Sequence, residues 1–419
     1  MKKFTLLLIV VLIIAGTVYA QDKYLYEPPF EWKSPEIMAQ GSSFTANAAG
    51  YDSLFTNPAG FRFGKDGKGG DLNLITVQPT WTANTFEILT GLGVLPDEDA
   101  TDDTIDDSGD SGSVDILSVV MDQVTSNGLG AGAQTSIGWV GRGLGLGTAV
   151  SVDSYFPQAE SVLGANGQVW ATVAFVGGYT VQFDFLGANI KIGGDLRPMY
   201  RIKIDNIDLD TASSFMAEDD TSTESEEMDL TGIPLLAGTA FGIDAGMQAT
   251  WGWITLGASL RDIGNTTFTY QKSDVGTFLD NSGSMTNAVA YGDAADELEY
   301  KTPGSLRLGV SLHPYIPFLS FLVDPIVHAE YTAYLVGDDF YEDGWTQGSM
   351  WSRVDVGAEV TLIKLLKLRG GYQGGYLSAG FGLDLLFLEV NAAIYSNEIG
   401  AYSGDEQSMG GSLNVSLRF

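Results

Sequence analysis

The chain of 419 residues carries 21 Lys and Arg against 53 Asp and Glu, a formal net charge of −32. That balance excludes a nucleic-acid partner, whose phosphates require clustered basic side chains. Cysteine is absent, which excludes disulfides, thiol nucleophiles and lipidated cysteines, and the two histidines, His313 and His328, sit in no hydrolase or metal motif.

The N-terminus opens with Lys2-Lys3, runs through an apolar stretch from Phe4 to Ala15 and reaches Val18-Tyr19-Ala20, with small residues at the two positions a signal peptidase reads. Residues 1–20 are therefore expected to be a signal peptide, directing export past a bacterial inner membrane. No later apolar run approaches the roughly 20 residues of a membrane helix. With 44% hydrophobic residues, 53 glycines and many short Leu, Val and Ile alternations, an all-β protein is expected, either secreted or spanning a membrane as a barrel.

Residues 21–70 are too apolar to stand in solvent: Phe44, Tyr51, Leu54, Phe55, Phe61 and Phe63 need cover. A small plug, or hatch, inside a barrel would bury them, with Pro58 ending any helix through "SSFTANAAGYDSLF".

Residues 71–419 read as the barrel. Candidate strands fall at 71–81, 129–140, 144–155, 167–180, 188–205, 236–249, 254–270, 304–314, 325–336, 352–363, 366–373, 376–385, 388–396 and 409–419. Fourteen is an even number, as an antiparallel barrel with both ends on one side requires. Period-two alternation is clearest at 188–204 and in the last residues, where Leu413, Val415, Leu417 and Phe419 alternate with polar neighbours. Such a sheet meets lipid on one face and must close, because an open edge leaves backbone groups unpaired in hydrocarbon. Pro79 and Pro198, which lack a ladder donor, are candidates to interrupt their strands. The pairs Gly177-Gly178 and Gly193-Gly194 lack the setting of a phosphate loop and read as strand kinks.

The connections alternate short and mostly long, and the long ones are acidic, with eight Asp and Glu in 97–110 and ten in 205–229. A solvated outer surface is the simpler reading; divalent-cation binding has composition behind it but no ligand spacing. Within one long connection, Val114, Leu117, Val120, Met121 and Val124 recur at helical spacing behind Ser113.

The same register turns Lys191, Arg197, Arg201, Lys203, Arg261, Arg307, Arg353, Lys367, Arg369 and Arg418 inward, with Asp195, Asp244, Glu330, Asp355, Glu359, Asp384 and Glu389. One reading is a network of ion pairs that fastens strands to one another and to the plug. The other gives Arg197 and Arg201, on one face of one strand, to an anionic head group. No catalytic constellation, cofactor motif or metal motif is present, so the chain reads as a non-enzyme.

"GSSFTANAAGYDSLFTNPAGF" resembles the N-terminal hatch of the FadL/TodX-type outer-membrane transporters, where a small-residue run leads to an Asn-Pro-Ala turn; the match is to Asn57, Pro58 and Ala59, with Gly60 following. "LRGGYQGGYLSAGFGLDLLFLEVNAAIYSNEIGAY" resembles the last strands of the related PorV-like and spirochaete FadL-like barrels. The resemblance implies a fourteen-stranded outer-membrane barrel with a luminal hatch, passing long-chain fatty acids or other hydrophobic or amphipathic molecules by passive diffusion. It also implies contact with outer-membrane lipid and, through C-terminal Phe419, with the barrel-assembly machinery. A PorV-like role, binding exported proteins for a secretion system, is the alternative. The candidate helix at 113–125 departs from the family, whose groove helices lie in later loops.

Overall fold

The computed structural model describes residues 25–82, 129–156, 166–208, 233–281, 298–314, 321–335, 350–385, 387–398 and 407–418. The signal segment, the candidate helix at 113–125, the acidic run 97–110, most of 205–229 and Phe419 lie outside the described residues.

The described chain builds a closed antiparallel barrel of fourteen strands. They are β1 (Gly70–Thr82), β2 (Leu129–Gly141), β3 (Leu144–Phe156), β4 (Asn166–Phe185), β5 (Ala188–Asp208) and β6 (Pro234–Trp251). β7 comes in two pieces, Ile254–Arg261 and Thr266–Asp274, as does β8, Leu298–Thr302 and Ser305–Leu312. β9 (Val323–Tyr334), β10 (Val354–Leu362), β11 (Leu366–Gln373), β12 (Tyr376–Leu385), β13 (Leu388–Glu398) and β14 (Gln407–Arg418) follow, and β14 pairs with β1 to close the wall. Closure pairs the two edges that an open sheet would leave unpaired.

Alternation sorts the side chains. On β4, Phe175, Tyr179, Val181, Phe183 and Phe185 are exposed on the outside while Thr172, Ala174 and Thr180 are buried within. β4 and β5, at 20 and 21 residues, are longer than the roughly 9 to 11 residues a tilted strand would need to cross a bilayer.

Three sequence expectations change. β7 was expected unbroken over 254–270, but residues 262–265 interrupt it, and β8, expected over 304–314, has a further piece at Leu298–Thr302. Ala245 pairs with Leu260 while Thr239 pairs with Thr269, so β7 carries extra residues opposite β6 and must bulge. Asp262, Gly264 and Asn265 adopt positive φ there, which Gly allows freely and Asp and Asn tolerate because their short side chains bond locally. Second, neither proline ends its strand, but each interrupts one ladder: Pro79 pairs with Ala133 and Pro198 with Phe241, while the pairing to β14 skips 78–79 and that to β4 skips 197–198. Third, the helix that stops ahead of Pro58 covers only Tyr51–Phe55, and Pro58 also begins a second one, as described below.

Residues 27–69 pack against inward-facing side chains of the wall. This N-terminal segment is irregular apart from short helices at Pro35–Met38, Tyr51–Phe55, Pro58–Phe61 and Lys65–Gly67. Phe30, Trp32, Phe44, Tyr51, Leu54, Phe55 and Phe61 are buried in one cluster with the inner-wall residues Val140, Ala149, Ala174, Val176 and Met199. Trp32 stacks on Phe55 at 5.0 Å between ring centroids.

Candidate functional site where the N-terminal segment meets the wall

The Asn57-Pro58-Ala59-Gly60 turn lies close against the wall. Asn57 is extended (φ −147°, ψ 111°) and caps the helix Pro58–Phe61, its Oδ1 accepting from the Ala59 amide at 3.0 Å. Pro58 suits the first helical position, where its fixed φ fits and an N–H would have no intrahelical partner. The Asn57 amide nitrogen donates to Thr45 O at 2.9 Å and Ala258 O at 3.3 Å. Pro58 O accepts from the Thr180 hydroxyl of β4.

Glycine makes this approach possible. A Cβ on Gly246 of β6 would lie 1.8 Å from Asn57 Oδ1, and one on Gly193 of β5 would lie 2.6 Å from Pro58 O. A Cβ on Gly178 would lie 2.8 Å from the Phe61 ring. Gly178 and Gly193, read from sequence as kinks, sit in ladders that run on through Asp195 and Thr180; their role is clearance for the segment. Only the small-residue pattern on inward positions signals this, and it cannot say what approaches.

Charged and polar side chains of the wall grip the segment's backbone. Glu330 of β9 accepts from the Phe44 and Thr45 amides at 3.1 and 2.8 Å. Arg261 donates to Phe55 O at 2.7 Å and Ser259 to Thr56 O at 3.0 Å. Gln248 donates to Ala48 O at 2.9 Å. Ion pairs add to these: Lys33 with Asp153 at 3.0 Å, Glu36 with Arg369 at 3.5 Å and Asp52 with Arg418 at 3.2 Å. Burial pushes the Glu36 carboxyl up to about 7 despite the opposing field of Arg369 and Lys367, and raises Asp52 against Arg418.

Arg197 and Arg201 serve different partners. Arg197, fully buried, pairs with Asp244 at 2.7 Å and Asp262 at 2.5 Å and so ties β5 to β6 and to the bulge in β7. Arg201 pairs with Glu27 of the N-terminal segment at 2.9 Å, donates to Thr172 Oγ1 at 2.9 Å and lies 4.5 Å over the Phe268 ring. Of the other residues expected inside, Asp195, Arg261, Asp355, Glu359, Arg369 and Glu389 are buried, Arg307 faces Glu330 at 3.9 Å, and Lys203 lies 5.1 Å over the Tyr300 ring. Asp384, near the end of β12, is exposed instead. His328 is buried, and His313, past the end of β8, is exposed and bonds Asp324 at 2.8 Å. Among the described residues, no group of three or more His, Cys, Asp or Glu could hold a metal ion.

No family model and no curated protein matches the chain. Among solved structures it is similar to the Pseudomonas putida toluene transporter TodX, at 11% identity and a TM-score of 0.44, covering 95% of this chain and 99% of that one. It is similar to the CymD monoaromatic hydrocarbon channel at 10% identity and a TM-score of 0.47, covering 92% and 97%. A Pseudomonas aeruginosa FadL homologue aligns at 11% identity with a TM-score of 0.46, covering 95% and 99%.

Proposed function

We propose that this chain is an outer-membrane channel passing hydrophobic or amphipathic small molecules by diffusion, long-chain fatty acids among them, with residues 21–70 as its hatch. The observation that carries this reading is the way residues 27–69 pack against inward-facing side chains of the wall. Among the described residues 25–69 only Leu25–Tyr26 joins the sheet, and the rest is held mainly by side-chain contacts to backbone carbonyls and amides, with a few single backbone bonds such as Gly143 N to Phe61 O. Contacts of that kind break a few at a time, each contributing roughly 0.5 to 3 kcal/mol, so the segment can shift while the wall's ladders stay closed. An apolar ligand entering such a lumen gains about 0.8 kcal/mol per methylene buried. The signal segment at 1–20 and the apolar outer face supply export and a lipid boundary.

The Asn57 turn is the hatch anchor in this reading. Native mass spectrometry of delipidated protein with a mixed series of fatty acids and aromatic hydrocarbons tests binding, and uptake into proteoliposomes tests gating. Chain-length-dependent binding, with uptake altered in Asn57→Ala and Pro58→Ala but barrel assembly intact, is expected. Absence of binding across the series by a folded barrel would sink the transport reading and favour a protein-handling role.

A further inference from the structure

β8 comes in two pieces. Among the described residues, β9 pairs with the lower piece, from Ser305↔Tyr334 downward, while the upper piece, Leu298–Thr302, keeps the upper piece of β7 on one edge. Its other edge is taken by the N-terminal segment: Leu25 and Tyr26 pair parallel with Tyr300 and Lys301, and the Glu27 amide donates to Lys301 O at 3.1 Å. This lies toward the end of the barrel that carries the long acidic connection 275–297, opposite the short turns.

The pairing delivers Glu27, 2% exposed, into a built receptor. Its carboxylate meets the Arg201 guanidinium at 2.9 Å and accepts from the Tyr270 hydroxyl at 2.8 Å. Arg201 is itself positioned by Thr172 and by the face of Phe268, and Tyr270 packs edge-on against Tyr300 at 5.4 Å. A fixed guanidinium and a phenol, buried and walled by aromatic rings, form a site for one carboxylate with an apolar body. Beyond Glu27 the chain runs Pro28-Pro29-Phe30. The two prolines offer no N–H, the Pro28 carbonyl accepts from Arg201 at 3.4 Å, and Phe30 fills part of the apolar cluster.

We propose that Arg201 and Tyr270 form a carboxylate receptor which Glu27 occupies as an internal competitor, so that a monocarboxylate amphiphile binds by displacing Glu27 and with it the pairing of residues 25–27 to the wall. This rests on the channel reading above and adds to it a preference among ligands. An uncharged hydrocarbon or alcohol has nothing to offer the guanidinium and leaves Glu27 in place. Because the receptor is competent only when Glu27 is out, the carboxylate's apparent affinity is lowered by the fraction of time Glu27 is bound.

The test compares laurate with 1-dodecanol, equal in chain length, by isothermal titration on the detergent-solubilised full chain. Glu27→Gln removes the competitor's charge and is expected to tighten laurate about tenfold while leaving dodecanol unchanged. Adding Tyr270→Phe, which deletes one hydroxyl and spares the ring packing, is expected to lose most of that gain. The natural chain has no cysteine, so Leu25→Cys gives a single labelling site; its maleimide reaction should speed up with laurate and not with dodecanol. Laurate affinity unchanged in Glu27→Gln, while dodecanol still binds, overturns the receptor and leaves the channel reading standing. Binding of neither probe to any folded variant removes both.

Discussion

Arg418 in the last strand reaches across the barrel seam to Asp71 in the first, with Nη2 2.6 Å from Oδ2. Its other nitrogen, Nη1, lies 3.2 Å from Asp52 in the N-terminal segment and 2.7 Å from Glu389 in β13. Asp71 in turn accepts from the Tyr51 amide at 2.8 Å. The bond that closes the wall and the bond that seats the segment therefore share one guanidinium.

Replacing Arg418 with Gln should accordingly loosen both. Three carboxylates would lose their common cation, and removing one partner of a buried pair costs about 3 to 5 kcal/mol; with a fifth of this side chain exposed, about 2 to 3 kcal/mol is expected. Heat-modified migration in detergent gels should shift to lower temperature, and hydrogen exchange at residues 50–53 should accelerate. Unchanged exchange there would separate seam from segment.

Gly246→Ala tests the clearance at the turn. The new Cβ would sit 1.8 Å from Asn57 Oδ1, so the turn must leave its place while the outward side chains of β6 are untouched. Exchange at residues 57–61 should rise and bilayer conductance increase, with strand content by circular dichroism unaltered.

Glu330 holds two backbone amides, so its substitutions should rank by what acceptor remains. Glu330→Ala strands the Phe44 and Thr45 amides in a buried site at about 2 to 4 kcal/mol. Glu330→Gln keeps one acceptor oxygen and should cost about half as much. Local exchange at residues 44–45 reads the difference.

The docked segment should also respond to pH through Glu36. Its carboxyl is pushed up to about 7 when buried, above its ordinary 4.5, so the docked state binds the proton more tightly than the released one. The Glu36 contribution to docking is therefore full below about 4.5 and is lost as pH rises through about 7. Protease protection of residues 33–45 should fall between pH 5.5 and pH 8, and Glu36→Gln should hold it near the low-pH level at both.

Strand positions were legible because their cause is local. Alternation of apolar and polar residues acts at a spacing of two, and β11 and β12 occur at the bounds the pattern predicts, 366–373 and 376–385. The inward charges and the need to cover Phe44, Phe55 and Phe61 follow from the same register. The break in β7 was less visible: "RDIGN" carries turn-forming residues, yet the apolar alternation on either side runs on across it.

What the amino-acid sequence determined by itself is the barrel, its strand count and an apolar N-terminal segment needing burial, all properties of residues within a few positions of one another. What only the tertiary structure decided is which distant groups meet: Gly246 with Asn57, Glu330 with the Phe44 amide, Glu27 with Arg201. An ionised or small side chain announces a need for a partner or for space. The identity of that partner depends on how a closed wall and an enclosed segment are brought together, which no local pattern carries.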